Sequence, residues 1–318
     1  MAGSEERGRW WLSAPDVTER PIEALLVGHV SCDLQPDGGW RAGGSVYYAG
    51  ALALRLGLRV GIVTSAPAAA CERVCAELSE AGDVALVAVP AAAATTFEND
   101  YAPDGRRQYL RARAEPITLE DIPLAWRRCA VALVAPVARE LSPDLAEGLT
   151  AEVIGATPQG WLRAWDADGR VRPRSLDPAE TNALRRYTAL ILSREDLAGA
   201  GADGAALAEA ERTLEVWARL GPLLAVTCGP DGADLRRVER VERFPGFPAT
   251  EVDPTGAGDV FAATFLCALA ATRDPATAMD MANRVAALAV EGVGVAAIPT
   301  PERIAARYLP PDVPQTLT

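Results

Sequence analysis

The chain reads as an α/β fold, a mostly parallel sheet with helices on both faces. Two observations carry this. Short apolar runs of strand length recur along the 318 residues, and the longer segments between them have helical spacing. Strands that alternate with amphipathic helices pair in parallel and are buried on both sides. There is no internal repeat, and apart from Ala91–Ala94 no low-complexity stretch. No linker is long enough to separate domains, so residues 21–308 form one domain between tails at 1–20 and 309–318.

The first buried strand is Ala24–Val27, closed by Gly28. A helix over Ser45–Leu56 leads into the strand Arg59–Val63, and a second helix over Ala70–Ala81 into Val84–Val89. Further strands are expected at Val131–Val134, Ala189–Leu192 and Leu223–Thr227, the last preceded by a helix over Ala205–Leu220. One segment departs from this rhythm. In Thr95–Arg113, two polar-aromatic runs flank Pro103-Asp104-Gly105, a hairpin signal. It reads either as a projecting cover for a site or as a plain edge hairpin. In open parallel sheets ligands bind beyond the carboxyl ends of the strands, so the informative residues should follow each apolar run.

Composition narrows the chemistry. All 31 basic side chains are arginine, and there is one histidine, His29. Without lysine, P-loop nucleotidases and protein kinases are excluded, as is Schiff-base catalysis. One histidine also excludes a poly-histidine metal site. The formal net charge of −12 argues against a nucleic-acid or anionic-membrane surface. The six cysteines have no zinc or redox spacing and read as buried free thiols. With no signal-peptide or transmembrane run, a cytoplasmic location is expected.

The sharpest local signal is Glu251–Leu269, EVDPTGAGDVFAATFLCAL. Asp253-Pro254-Thr255 makes a turn, and Gly256-Ala257-Gly258 lets a backbone approach a ligand before an apolar helix begins near Asp259. Such a turn presents unpaired N–H groups and the positive end of a helix dipole, an anion site. Asp259 in the first turn is a good helix-starting residue without any further role. Three small residues before it and a helix apolar enough to be buried favour a functional reading. A carboxylate beside an anion hole can take a proton from a hydroxyl while the amides hold charge on a transferred phosphoryl group.

The run DPTGAGDVFAATF resembles the C-terminal signature of the ribokinase-type (PfkB) carbohydrate kinases, and further matches follow in order from Leu25 to Pro299. The resemblance implies a ribokinase-like three-layer α/β/α sandwich with a small, reduced β lid, ATP and Mg²⁺ as cofactors, and Asp259 as general base beside the Gly256-Ala257-Gly258 anion hole. It places Asp33, in GHVSCD, on substrate hydroxyls, and Gly43-Gly44 where backbone amides meet the substrate. Thr227, Gly229 and Gly232, in TCGPDG, resemble the loop over the nucleotide phosphates, and Asn283 the asparagine beside the adenine pocket. The family's Asn-x-x-Glu run is Ser193-Arg194-Glu195-Asp196 here. Asp196 is the first choice for a water-mediated metal contact and Glu195 the second.

Departures from the pattern bear on the substrate. Only nine residues, 34–42, separate Asp33 from Gly43. The first lid hairpin is therefore expected to shrink to a remnant, leaving 95–113 as the main cover. Lid-mediated dimers then become less favoured, and a monomer or a differently built homodimer is expected. Tyr48 replaces the usual sugar-kinase asparagine, and an aromatic wall stacks on a ring where an amide would pair with hydroxyls. The compact start resembles the inositol-kinase branch. Glu140 is a further candidate for substrate hydroxyls. Arg106, Arg107, Arg111 and Arg113 read as a solvated face in preference to an anion site, and His29 as a hydrogen-bonding neighbour of Asp33. The expected activity is ATP-dependent phosphorylation of an alcohol on a small sugar or cyclitol. A nucleoside kinase on the same scaffold is the alternative. A non-catalytic ligand-binding homologue fits less well, because Asp259 and the Gly-Ala-Gly turn are intact.

Overall fold

The computed structural model describes residues 10–11, 17–102, 105–199 and 201–308. The expected hairpin-turn residues Pro103 and Asp104, residue 200, most of the expected N-terminal tail and the whole C-terminal tail lie outside the described residues.

Along the chain, β1 (Trp10–Trp11) and β2 (Ala24–Val27) precede a tight hairpin of β3 (Ser31–Leu34) and β4 (Trp40–Gly43). Helix α1 (Ser45–Arg55), β5 (Val60–Ala66), α2 (Ala68–Ser79) and β6 (Val84–Pro90) follow. The second hairpin is β7 (Thr95–Ala102) with β8 (Gly105–Ala112), and β9 (Arg128–Val134) and β10 (Thr150–Ala156) return to the body. A short hairpin, β11 (Arg163–Trp165) and β12 (Val171–Pro173), leads through α3 (Pro178–Ala183) to β13 (Ala189–Ser193), α4 (Arg194–Ala198) and α5 (Gly204–Ala218). The chain closes with β14 (Leu223–Thr227), β15 (Ala233–Arg237), β16 (Arg240–Phe244), α6 (Ala257–Thr272), α7 (Pro275–Ala289) and α8 (Pro301–Tyr308).

Ten strands form the main sheet in the order β1-β6-β5-β2-β9-β10-β13-β14-β15-β16. The seven from β6 to β14 run parallel, and β1, β15 and β16 are antiparallel at the two edges. Alternation along a strand shows why two helical layers are needed. Leu26 packs into a core with α1, α6 and α7, whereas Leu25 and Val27 point into a second core with Trp126, Trp161 and Trp217. Both faces of β2 are apolar, so each must be covered.

Apolar runs mark six of the seven parallel strands. The exception, β10, carries Glu152 and Gly155, and Gly155 is there because a Cβ would come within 2.4 Å of Leu266 on α6. Within the expected N-terminal tail, Trp10–Trp11 instead pair with Ala88 and Val87 of β6.

The first hairpin, expected to shrink to a remnant over 34–42, is instead a paired two-stranded hairpin. Ser31–Leu34 pairs with Trp40–Gly43 and with β7, giving a four-stranded small sheet in the order β4-β3-β7-β8. Nine residues suffice because the strands include the site residues themselves. Asp33 lies opposite Arg41, and the chain reverses over Gln35–Gly39, where the Asp37 carboxylate accepts the Gly39 N–H at 2.9 Å.

Candidate active site

The turn before α6 is shaped by its own side chains. The Asp253 carboxylate accepts the Thr255 N–H at 2.9 Å, and Gly256 caps the helix with a left-handed φ of 80°. A Cβ at Gly256 would lie 2.4 Å from the Tyr48 ring, so both backbone and space call for glycine. Gly256, Gly258 and Asp259 line a cavity of about 670 Å³ with Ser45, Asp196 and Thr227, while Ala257 faces an adjoining recess. The first-turn amides of a helix lack intrahelical partners; that of Ala257 donates to the Pro254 carbonyl at 3.1 Å, and the remaining ones, at the cavity floor, favour an anion.

Asp259 lines the cavity and is half-buried. Burial pushes its carboxyl up to about 6, opposed by a hydrogen bond from Ser45; Asp196 and Asp33 add to the rise, and Arg163 opposes it. The group is then mostly ionised at neutral pH, yet basic enough to accept a proton.

Both glycines of the Gly43-Gly44 pair make room for polar atoms. A Cβ on Gly43 would sit 2.6 Å from the Asp33 carboxylate, and one on Gly44, at φ 94°, 2.4 Å from the His29 carbonyl. Gly44 caps α1, which brings Ser45 and Tyr48 to the same place. Burial raises the Tyr48 phenol well above its ordinary value, with Asp33, Asp259 and Asp253 adding to the effect. The hydroxyl therefore sits among the carboxylates expected on either side of an acceptor. Asp33, Tyr48, Arg41 and Asn99 line a second cavity of about 360 Å³.

Glu140 is not placed to bind substrate. It is 2% exposed, and its carboxylate accepts main-chain N–H groups from His29 (3.0 Å), Val137 (2.9 Å) and Ala138 (2.7 Å). It pins the turn after β9 to the end of β2. His29 is fully buried and ties the small sheet to the body. Its Nε2 lies 2.9 Å from the Glu115 carbonyl, which can only accept, so that nitrogen carries the proton. Nδ1 then accepts from the Thr95 hydroxyl at 2.7 Å, which itself accepts the Ala114 N–H. Burial lowers the imidazole pKa below its usual value, against a smaller raising effect of Glu140. Of the hairpin arginines, Arg111 bonds Glu98 and the Asp168 carbonyl, and Arg113 bonds the Arg139 carbonyl. They brace the sheet.

On the opposite side of Asp259, Thr227 and Gly229 line both the main cavity and the recess. Gly232, at φ 95°, packs so closely that a Cβ would meet the Phe244 carbonyl at 2.2 Å. The recess, about 270 Å³, is walled by Phe247, Phe261, Ala286, Ala287 and Val290. Asn283 is on its wall, donating to the Phe244 and Pro245 carbonyls at 3.2 and 3.4 Å. Asp196 and Glu195 line the main cavity. Asp196 also closes a capping box with Ser193 and accepts from Gln159 at 3.1 Å. Among the described residues no group of three or more acidic, cysteine or histidine side chains forms a metal cage. That donor set fits Mg²⁺, which binds through one or two carboxylates, waters and phosphate oxygens.

Four residues of this constellation were not singled out by the sequence, although Arg194 lies within the Ser193–Asp196 run. Ser45 bonds Asp259, Gln159 bonds Asp196, and Arg163 faces Asp259 electrostatically. Arg194 enters the main cavity while bonding Glu211 and Asp234 at 3.0 and 2.9 Å. Ser45 had a local signal in its place immediately after the double glycine, and Arg194 in its place within the Ser193–Asp196 run.

Comparisons with known proteins bear on the family and the fold. Residues 160–303 match the pfkB family carbohydrate kinase profile. The chain is 30% identical over 298 residues to inositol 3-kinase of Oryza sativa subsp. japonica, covering 86% of this chain and 70% of that protein. It is 33% identical over 203 residues to inositol 3-kinase of Zea mays, covering 63% of this chain but only 49% of the maize protein. Among solved structures, it resembles a pyrophosphate-dependent kinase in the ribokinase family complexed with a pyrophosphate analog and myo-inositol. That match has a TM-score of 0.73 at 19% identity and covers 89% of this chain and 99% of the other. No helix among the described residues is long and apolar enough to cross a membrane.

Proposed function

The chain belongs to the PfkB family of carbohydrate kinases, and on that premise we propose that it transfers a phosphoryl group from ATP to a hydroxyl of a small polyol, with a cyclitol as first choice. The observation that carries this reading is the position of Asp259. It stands at the start of α6 beside the first-turn amides, in one cavity with Thr227 and Gly229. Tyr48, which packs against Gly256, links it to the cavity that holds Asp33.

In this reading Asp33 accepts hydrogen bonds from acceptor hydroxyls and Tyr48 stacks on the ring. Asp259 removes the proton of the attacking hydroxyl, and the amides around Gly256-Ala257-Gly258 hold the negative charge of the transferred group. The apolar recess by Asn283 suits an adenine and is superfluous for pyrophosphate, which supports ATP as donor. Asp196 and Glu195 would hold Mg²⁺ through water, and the ion when bound would supply charge neutralisation on the donor phosphates. The compact Asp33–Gly43 hairpin and Tyr48, together with the likeness to two inositol 3-kinases, support the cyclitol over ribose.

The test is a coupled ADP-release screen over inositols, free sugars and nucleosides, with and without Mg²⁺. Turnover with an inositol or another free polyol is expected. Turnover with nucleosides alone would replace this reading with a nucleoside kinase, and silence across the panel with folded protein would overturn it.

A further inference from the structure

Segments far apart in sequence meet around Arg163. Its strand β11 starts just after a turn at Pro158–Gly160 that is pressed against the end of β9. The Gly160 N–H bonds the Pro136 carbonyl at 3.0 Å, and a Cβ on Gly160 would sit 2.3 Å from the Pro136 carbonyl carbon. The Arg163 guanidinium donates to the Val137 carbonyl at 2.9 Å. That carbonyl belongs to the turn whose N–H groups the buried Glu140 carboxylate holds. The guanidinium also lies over the Phe97 ring of β7, 5.3 Å from its centroid. Phe97 is the registered partner of Asp33 in the small sheet, so the two side chains project on the same face. The hairpin that bears Arg163 is itself fixed to the edge of that sheet, where the Leu110 N–H bonds the Gly169 carbonyl at 2.8 Å.

We propose that Arg163 is an acceptor-recognition residue, whose guanidinium meets oxygens of a neutral polyhydroxylated ring lodged between Asp33 and Asp259. This deepens the kinase reading and rests on it. A hydroxyl both donates and accepts. One carboxylate, Asp33, and one guanidinium, Arg163, therefore satisfy adjacent hydroxyls from both sides while adding no net charge, which suits a free polyol better than a sugar phosphate. The same guanidinium acts on the base. Arg163 from β11 opposes the rise of the Asp259 pKa, as does the Ser45 hydroxyl from α1. Asp196 from α4 and Asp33 from β3 promote that rise, and the Tyr48 phenol from α1 also faces Asp259. Arg163 is the guanidinium among these groups. It performs the substrate-side duty expected of Glu140, while Glu140 supports the carbonyl on which Arg163 rests.

The experiment compares wild type with Arg163→Gln and Arg163→Lys, after thermal unfolding has shown that each variant is folded. With the polyol acceptor, both variants should raise the acceptor KM by about tenfold to a hundredfold, the usual effect of losing a hydrogen bond to a charged group. The donor KM should stay within about twofold. The acidic limb of kcat/KM should move to higher pH in Arg163→Gln and remain in place in Arg163→Lys, which keeps the charge. A carbon-13 NMR titration of the Asp259 carboxyl needs no acceptor and should show the same split. An unchanged acceptor KM in both variants would overturn the recognition role, and an unmoved Asp259 titration in Arg163→Gln would overturn the placement. If Arg163→Gln does not fold, Arg163→Lys decides on acceptor KM alone. Failure of wild type to phosphorylate any polyol would sink the kinase reading, and the NMR titration would still judge where Arg163 stands.

Discussion

Asp259→Asn preserves the side-chain shape and an oxygen for the Ser45 hydroxyl, and removes only the charge and the basicity. The folded carboxyl titrates at about 6 against an ordinary 3.8, a difference of about two pH units. At about 1.4 kcal/mol per unit, the ionised form is held at a cost of up to about 3 kcal/mol, an upper bound because the Asp259 side chain is only half-buried. A carboxyl raised in the folded state contributes stability that is fully present below 3.8 and lost as pH rises through about 6. At pH 7 the wild type lacks that contribution, so Asp259→Asn should unfold at higher denaturant concentration, by roughly 1–3 kcal/mol. The gap should shrink as the pH falls from 7 to 4.

Turnover should move the other way, falling by about 10²–10⁴-fold if Asp259 is the general base, with donor KM little changed. The assays are ADP release at saturating donor and acceptor, and denaturant unfolding at pH 7, 5.5 and 4. In wild type, kcat/KM should rise with pH through about 6. Turnover within tenfold of wild type would refute the base. A variant less stable than wild type at pH 7 would refute the idea that burial, not the Ser45 bond, dominates the energetics of the carboxylate.

Three further outcomes follow from the geometry. His29 is held neutral with its pKa lowered, so its contribution to stability is present above the ordinary value of 6.5 and lost as pH falls through the folded value. His29→Gln should therefore flatten the pH dependence of unfolding just below pH 6.5, measured as denaturant midpoints against wild type. Glu140→Gln should cost about 1–3 kcal/mol by unfolding, because it weakens charge-assisted bonds to three buried amides, while acceptor KM changes less than for Arg163→Gln. Gly256→Ala should cost at least about 1–2 kcal/mol from its left-handed backbone alone and lower turnover as well, since the new Cβ collides with Tyr48. Normal turnover in Gly256→Ala would show that the anion turn tolerates displacement.

What the sequence shows best are features set by neighbours along the chain. The β strands with unbroken apolar runs, the helices α1, α2 and α5, and the turn at Gly256 all follow from local patterns, and each appears close to its expected bounds. What it conceals are features set by contacts between distant segments. β10 has no apolar run, since Gly155 answers to Leu266 on α6. The hairpin at Ser31–Gly43 looks too short for a lid because its strands double as the site. Glu140 follows an apolar strand as a substrate ligand would, and nothing nearby reveals that its carboxylate serves His29, 111 positions earlier. Ser45, Gln159 and Arg163 matter through partners on other elements, which periodicity does not encode.

The absence of lysine then has a structural counterpart. A P-loop enzyme places a mobile ammonium on its phosphates, whereas in the proposed mechanism the positive potential at the cavity floor comes from the amides at the start of α6. These are fixed by the turn and carry no side-chain entropy. Arginine is held at the margins in shared networks. Arg194 is shared between Glu211 and Asp234, and Arg163 leans on the Val137 carbonyl and Phe97. Such anchoring suits a planar, always-charged group that positions oxygens better than it moves protons. In the proposed mechanism proton movement falls to Asp259, whose burial lifts it toward neutral pH. A site built this way needs its backbone held rigidly, which accounts for glycines at 43, 44 and 256 that each admit one specific neighbour.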